Sequence, residues 1–105
     1  MILNTVDFVS GYEVETIGLV KGSIVKTKNM FVDVLQGLKS MVGGELKGYT
    51  DMMDNARQEA TERMIKQASE LGADAIIAVR FTTSAILGGA SEIIVYGTAV
   101  KLKRE

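Results

Sequence analysis

Two segments near the C-terminal end of the sequence are apolar at successive positions. Between residues 75 and 81 one face of a strand would carry Ala75, Ile77, Val79 and Phe81, and the other Ile76, Ala78 and Arg80. Residues 93–102 show the same weak alternation. An antiparallel sheet with one face in water should alternate apolar and polar residues along each strand. The pattern therefore predicts strands that are covered on both faces.

These segments also predict a β-hairpin. Residues 73–83 and 91–103 flank a predicted turn at 84–90, where Gly88 and Gly89 suit positive φ. Residues 13–27 are rich in Val, Ile and Thr, and they predict a third long strand that is bent or bulged at a glycine, Gly18 or Gly22. In that segment one face would carry the even-numbered residues from Val14 to Ile24. Residues 2–8 are a candidate short edge strand.

Two helices are predicted between the first long strand and the hairpin. A short one spans residues 30–41 after Asn29, a good N-cap, and a glycine-rich loop at 42–48 follows it. A helix of about twenty residues then begins after Thr50 or Asp51 and stops at Gly72. Its apolar seam consists of Met53, Ala56, Ala60, Met64, Ala68 and Leu71. We therefore expect one α+β domain over residues 1–105, with a small antiparallel sheet of about three long strands and both helices on one face.

One helical layer covers only one face of such a sheet. Leaving five or six large apolar side chains of the other face in water would cost roughly 1.5–3 kcal/mol each. Such a patch on a protein surface usually marks an interface, so we expect a homo-oligomer. The alternative is that loops and the N-terminal segment cover the second face.

The ionisable residues exclude several classes of function. Twelve Lys and Arg against thirteen Asp and Glu give a net charge of −1, which argues against a nucleic-acid binder. The sequence has no cysteine and no histidine, which excludes Ser-His-Asp and Cys-His catalysis. It shows no signal peptide and no apolar run of membrane-spanning length. A cytoplasmic protein with neither nucleic acid nor membrane as partner is expected.

Short pieces along most of the chain carry a family resemblance. They are Gly11-Tyr12, Gly18 with Gly22, Gly43-Gly44-Glu45 with Tyr49, Arg57, Ala60, Met64 and Ala68, Leu71-Gly72-Ala73-Asp74-Ala75, Val79-Arg80, and Tyr96-Gly97-Thr98-Ala99-Val100. In this order and spacing they resemble the YbjQ-like family, uncharacterised bacterial proteins labelled "putative heavy-metal-binding". The resemblance implies a dodecin-like α+β subunit assembled as a ring, with a pentamer as the expected form.

The heavy-metal label that comes with this resemblance has weak support in the residues. Heavy metals select thiolate or imidazole ligands, and the chain has neither. The available thioethers are those of Met30, Met41, Met52, Met53 and Met64. Most of them lie at the spacing of a helix core, which favours packing over ligation, so no metal ligand is predicted. The sequence does not identify a cofactor.

Four residues form the predicted ligand-binding set: Glu45, Tyr49, Arg57 and Arg80. Glu45 lies in the predicted glycine-rich loop, where a side chain can be aimed at a ligand or at a neighbouring subunit. The alternative is a turn between helices whose glutamate is solvated or pairs with an arginine. Arg80 lies inside an apolar strand, so it needs an acidic partner such as Glu45 or Glu13, within the chain or across an interface, or an anionic ligand. Tyr49 would line a pocket or an interface.

Glu13 and Glu15 share one face of the first long strand. Two carboxylates could hold a hard cation or act as an acid–base pair, but nothing else completes either site, so solvated charges are favoured. No catalytic residue is predicted. Three hypotheses remain open: a non-enzymatic homo-oligomeric binding or assembly protein, which we prefer; a heavy-metal-binding protein; and an enzyme acting on a small anionic ligand at a subunit interface.

Overall fold

The computed structural model describes residues 1–26, 45–86 and 90–105. Its elements are strands β1 (Ile2–Leu3) and β2 (Tyr12–Lys26), helix α1 (Glu45–Glu70), and strands β3 (Ala75–Ile86) and β4 (Ala90–Arg104). The strands form one four-stranded sheet in the order β1-β3-β4-β2. The pair β1–β3 is parallel, and the pairs β3–β4 and β2–β4 are antiparallel.

This mixed sheet with a long helix confirms the predicted α+β class. The N-terminal edge strand is present, although it has only two residues. The predicted turn at 84–90 is wrong at both of its ends, because β3 continues to Ile86 and pairs there with Ala90. The ladder continues to the tip of the hairpin through Ser84, Ala85 and Ile86, which pair with Glu92, Ser91 and Ala90. The predicted short helix at 30–41 lies outside the described residues.

Helix α1 begins earlier than predicted. Residues 45–48 were assigned to a loop, yet the helix starts at Glu45 and has 26 residues. Gly48 costs about 1 kcal/mol inside a helix, which cooperative extension of a long helix outweighs. The placement of Glu45 in a glycine-rich loop is therefore wrong.

The C-terminal end of α1 follows the prediction. Gly72 has a φ of 77°, the left-handed conformation that glycine adopts at least cost. The amide of Gly72 donates to the Ser69 carbonyl at 3.0 Å, and the amide of Ala73 donates to the Ala68 carbonyl at 3.0 Å. These two bonds are the Schellman arrangement that closes a helix. Leu71, predicted on the apolar seam, instead lies past the last helical residue and is half exposed.

The seam of α1 packs on one face of the sheet, here called the helix face. The buried residues of this layer are Val20, Ile24, Ala56, Ala60, Met64, Ala68, Ile76, Val79, Ile93, Val95 and Ala99. Small alanines let the helix lie close to β2. A Cβ added at Gly22 would overlap the Ala60 carbonyl oxygen and lie 2.6 Å from the Met64 backbone nitrogen. The helix backbone therefore rests directly on this strand.

A bulge in β2 moves its side chains from one face of the sheet to the other. The register with β4 shifts between Thr16 and Gly18, which confirms the predicted irregularity at a glycine. Residues directly opposite one another share a face, and a shift of one residue reverses the faces of everything beyond it. Val14, opposite Leu102, therefore lies on the face away from α1, here called the outer face, whereas Val20 lies on the helix face. The prediction of a single face from Val14 to Ile24 is wrong.

A second bulge does the same in β3. Its register with β4 shifts between Ile77 and Arg80, and Ala78 within the bulge has a φ of 53°. Left-handed backbone is costly for a residue with a Cβ, and here hydrogen bonds hold it. The Ala78 amide donates to the Val6 carbonyl at 2.8 Å, and the Val79 amide donates to the Asn4 carbonyl at 3.0 Å. The N-terminal segment thus pairs along the edge of the bulge.

The outer face has its own small core near the chain termini. Its buried residues are Val9, Ala75, Ile77 and Val100, with Tyr12, Val14 and Leu102 packed against them. Val9 belongs to the N-terminal segment, which covers this half of the face. Part of the two-faced apolar pattern in the sequence therefore reflects two cores on opposite sides of one bulged sheet.

Candidate functional site

The other half of the outer face lies beyond the two bulges and is here called the open half-face. It consists of Leu19, Lys21, Ser23 and Val25 on β2, Ile94, Tyr96 and Thr98 on β4, and Arg80 and Thr82 on β3. None of these residues belongs to either buried cluster of the described chain. Leu19 is 70% exposed, Val25 48% and Tyr96 38%. The open half-face is therefore a candidate functional surface.

One row of this face combines two cations and a phenol. Tyr96 of β4 stands opposite Lys21 of β2 on one side and opposite Arg80 of β3 on the other. The three side chains therefore project from the same face in register across three strands. Adjacent strands lie about 4.8 Å apart, which puts the backbones of Lys21 and Arg80 roughly 10 Å from each other. Both side chains are long enough to reach toward the tyrosine between them.

Arg80 obtains its partners from the backbone. One guanidinium nitrogen, Nη1, donates to the Thr5 carbonyl at 2.8 Å and to the Val79 carbonyl at 2.8 Å. Glu13, one of the predicted acidic partners, instead stands opposite Lys103 on the helix-face side of the β2–β4 ladder. Within one subunit Glu13 and Arg80 therefore do not meet, since their partners on β4 are seven residues apart, and a pair between them across an interface stays a prediction.

The other predicted site residues lie on α1. Arg57 is exposed and forms an ion pair with Asp54, with 3.0 Å between Nη1 and Oδ1. Glu45 and Tyr49 belong to the first two turns of the helix, and their side chains lie outside what is described. Arg57 and Arg80 are held on different layers, the helix and the outer face. The set of Glu45, Tyr49, Arg57 and Arg80 as one ligand site remains a prediction.

The carboxylates of β2 have lysines as their cross-strand neighbours. Glu13 stands opposite Lys103 and Glu15 opposite Lys101, which favours solvated, compensated charges. Across residues 1–26, 45–86 and 90–105 there is no group of three or more Asp, Glu, His or Cys placed to hold a metal ion. In the same ranges no helix has the length and apolar character needed to cross a bilayer.

The free edge of β2 is partly occupied by side chains of α1. The Lys21 amide donates to Gln67 Oε1 at 2.8 Å, and Arg63 Nη1 donates to the Ser23 carbonyl at 2.6 Å. Edge strands present unpaired backbone groups, and these two contacts satisfy a donor and an acceptor on the outer side of β2. They also hold Lys21 in place under the helix layer, with its side chain on the opposite face.

Sequence reasoning missed Lys21 and Tyr96 as neighbours of Arg80. Their alignment depends on two bulges, at Ile17 and at Ala78, each of which changes the register by one residue. The first has a glycine beside it as a signal. The second falls on an alanine, which carries no such signal in the sequence.

The fold and the open half-face define a small α+β protein built on a doubly bulged, four-stranded sheet. The YbjQ family model, described as "Putative heavy-metal-binding", matches residues 1–103. A UPF0145 protein of Clostridium novyi is 60% identical over 102 residues, which covers 97% of this chain and 99% of that protein. A UPF0145 protein of Colwellia psychrerythraea is 51% identical over 105 residues, covering 99% of this chain and all of that protein (100%). The chain belongs to this UPF0145 (YbjQ) family.

A solved structure shares the fold. It is the crystal structure of a protein of unknown function from Pediococcus pentosaceus that belongs to the DUF74 family. The TM-score is 0.65 over 98% of each chain, at 19% sequence identity. At this identity the likeness concerns the fold alone.

Proposed function

We propose that this chain is a non-enzymatic binding or assembly protein that works as a homo-oligomer, with the open half-face at the contact between subunits. The observation that carries the proposal is the exposure of Leu19, Val25 and Tyr96 on one continuous sheet surface, at 70%, 48% and 38%. Burying a large apolar side chain is worth about 1.5–3 kcal/mol. Three such side chains on one surface give a second subunit a substantial gain. Cytoplasmic residence stays a prediction of the sequence.

A second apolar patch supports a ring over a two-fold dimer. The N-terminal segment exposes Ile2 (42%), Val6 (45%) and Phe8 (54%) along the β1–β3 side of the sheet. Leu19 lies at the opposite edge, on β2. A two-fold contact uses the same patch on both subunits, whereas two different patches favour a head-to-tail contact, which closes into a ring when the rotation permits. The resemblance to the YbjQ-like family, which implies a pentameric ring, favours five copies.

The dimensions of the chain also favour assembly. Its radius of gyration is 17.1 Å and its principal extents are 56, 31 and 19 Å. A compact domain of this length has a radius of gyration of about 13 Å. The elongated shape leaves more apolar surface exposed than a compact monomer would, and neighbouring copies would cover it.

A mixing experiment tests the head-to-tail contact. Leu19→Glu removes one patch and Phe8→Glu removes the other, so each variant alone should run as a monomer in light scattering coupled to gel filtration. A 1:1 mixture should give a heterodimer of about twice the 11.3 kDa subunit mass, because one intact patch of each kind remains. The matched control is Leu71→Glu, which changes a leucine that is 50% exposed outside both patches and should keep the wild-type mass.

The outcomes separate the possibilities. A mixture that stays monomeric while wild type is oligomeric would replace the head-to-tail contact with a two-fold one. Wild type that is itself monomeric at micromolar concentration would end the proposal of an assembly.

Heavy-metal binding is the second candidate, favoured by the description of the family model. The donors of this chain fit a soft metal poorly, because thioethers are the only soft ligands in its sequence. The sequence has no cysteine and no histidine. Met64 is fully buried in the helix-face core, and Met53 packs against that core, so both thioethers serve packing. Calorimetric titration with copper, zinc and cadmium decides the matter: saturable binding by the wild-type chain would restore this candidate, and its absence would reject it.

A further inference from the structure

We propose that Lys21, Tyr96 and Arg80 form a binding site for a small oxyanion such as a phosphate or a carboxylate. This inference deepens the proposed function, since it assigns a ligand class to the open half-face. Two cations and a hydroxyl donor stand in one row, with the tyrosine in the middle. Lysine offers three N–H donors, arginine five and tyrosine one O–H, which together suit an anion with several acceptor oxygens.

The row carries positive charge without a compensating carboxylate in the described chain. The ion pairs there are Arg57–Asp54 and Arg63–Glu59, and neither includes Lys21 or Arg80. Along β4 the nearest carboxylate is that of Glu92, four residues from Tyr96, which corresponds to about 13 Å in an extended strand. Glu92 stands opposite Val25 and Ser84, near the tip of the hairpin. Lys21 and Arg80 are therefore two cations that have no ion-pair partner among the described residues.

Arg80 is held in one orientation before any ligand arrives. The two carbonyl contacts of Nη1, to Thr5 and Val79, fix the planar guanidinium against the N-terminal segment. The Nη2 and Nε donors are not used by a hydrogen bond in the described residues. A fixed guanidinium loses less entropy on binding an oxyanion than a free side chain does.

An anion also resolves a difficulty that assembly would create. If a second subunit covered the open half-face, Lys21 and Arg80 would lose part of their hydration. An unpaired cation in such a contact is costly, and a hydrogen-bonded counter-anion removes that cost. A small oxyanion between the two cations, held under the hydroxyl of Tyr96, meets this requirement.

The test is a titration of the full-length wild-type chain with inorganic phosphate, in which NMR measures the amide chemical shifts. The expected result is a saturable shift centred on the amides of Lys21, Tyr96 and Arg80. Lys21→Gln removes one charge-assisted hydrogen bond and should weaken phosphate binding by about tenfold or more. Tyr96→Phe should weaken it by about threefold to tenfold without a change of charge. Lys101→Gln is the control, since this exposed lysine lies on the helix-face side, opposite Glu15, and should bind phosphate like wild type.

Arg80→Gln would also remove the hydrogen bond to the Thr5 carbonyl. Its effect on phosphate binding is therefore compared with those of Lys21→Gln and Tyr96→Phe, which leave this hydrogen bond intact. Absence of saturable shifts at millimolar phosphate, or equal binding by wild type and Lys21→Gln, would overturn the oxyanion site. The site would also be overturned if Lys21→Gln weakened self-association while added phosphate left self-association unchanged. That result would make a carboxylate of the neighbouring subunit the partner of Lys21. Light scattering on the same samples distinguishes the two proposals. A monomer that binds phosphate would contradict only the assembly. An oligomer that fails to bind phosphate would contradict only the anion site.

Discussion

Replacement of Gly22 by alanine should destabilise the protein strongly. The new Cβ would overlap the Ala60 carbonyl oxygen, and its distance to the Met64 nitrogen, 2.6 Å, falls short of the 3.4 Å at which ordinary van der Waals contact begins. Both atoms belong to the helix backbone, so no side-chain rotation relieves the overlap. The overlap with the Ala60 oxygen is the larger one, so helix α1 would have to move away from β2 by more than about 1 Å. A gap of 0.5–1 Å already forfeits about a quarter to a half of each dispersion contact.

The expected loss of unfolding free energy is about 3 kcal/mol, the upper part of the usual range for an overpacked core. Urea unfolding followed by circular dichroism should show the midpoint lower by ~1.5–2 M. Gly72→Ala is the matched control: its Cβ meets only the end of the Lys101 side chain, at 3.8 Å, and the cost of the left-handed φ is about 1 kcal/mol.

A Gly-to-Ala change in an uncrowded extended position stabilises a protein by about 0.4–1 kcal/mol through the unfolded state. A neutral or stabilising Gly22→Ala would therefore refute the direct contact of the helix backbone with β2.

Two further substitutions test the bulge and the strand edge. Ala78→Gly should leave the free energy of unfolding unchanged or raise it by up to about 1 kcal/mol, because glycine adopts the φ of 53° at less cost. Ala75→Gly, at a buried position of the same strand, is the control and should lower the free energy of unfolding by about 1–2 kcal/mol. Equal losses in thermal unfolding would argue against the strained bulge. Gln67→Ala should speed hydrogen exchange at the Lys21 amide, whose acceptor is the Gln67 side chain, by about tenfold, and unchanged exchange there would show that this contact is not formed in solution.

The elements that sequence periodicity predicted well are those with a local cause. The apolar seam of α1 repeats every three to four residues, and Gly72 provides its stop, so the helix and its C-terminal end could be predicted. The first residue of the helix was predicted wrongly because Gly43, Gly44 and Gly48 are typical of a loop. A glycine inside a long helix costs only about 1 kcal/mol, and cooperative extension of the helix outweighs this cost. The glycines in the sequence do not reveal that balance.

The faces of the strands could not be predicted, since one inserted residue reverses them. Gly18 marked the first bulge, but its consequence, Val14 and Val20 on opposite faces, depends on where the register with β4 shifts. Ala78 gave no signal for the second. The same shifts place Lys21 and Arg80 in one row with Tyr96, so this candidate site appears only when all three strands are aligned.

The partner of Arg80 illustrates a further limit. An arginine in an apolar strand predicted a carboxylate, whereas its guanidinium binds the Thr5 carbonyl, 75 residues away in the chain. A backbone acceptor is present at every residue, so no side-chain pattern distinguishes the one that is used. The identity of Thr5 gave no means of finding this contact.

In the proposed assembly a second copy of the chain covers the open half-face. Sedimentation equilibrium of the wild-type chain at micromolar concentration measures this directly. We predict one species with several times the 11.3 kDa of the subunit, about five times if the ring is a pentamer. A single species of 11.3 kDa across the whole concentration range would contradict the claim.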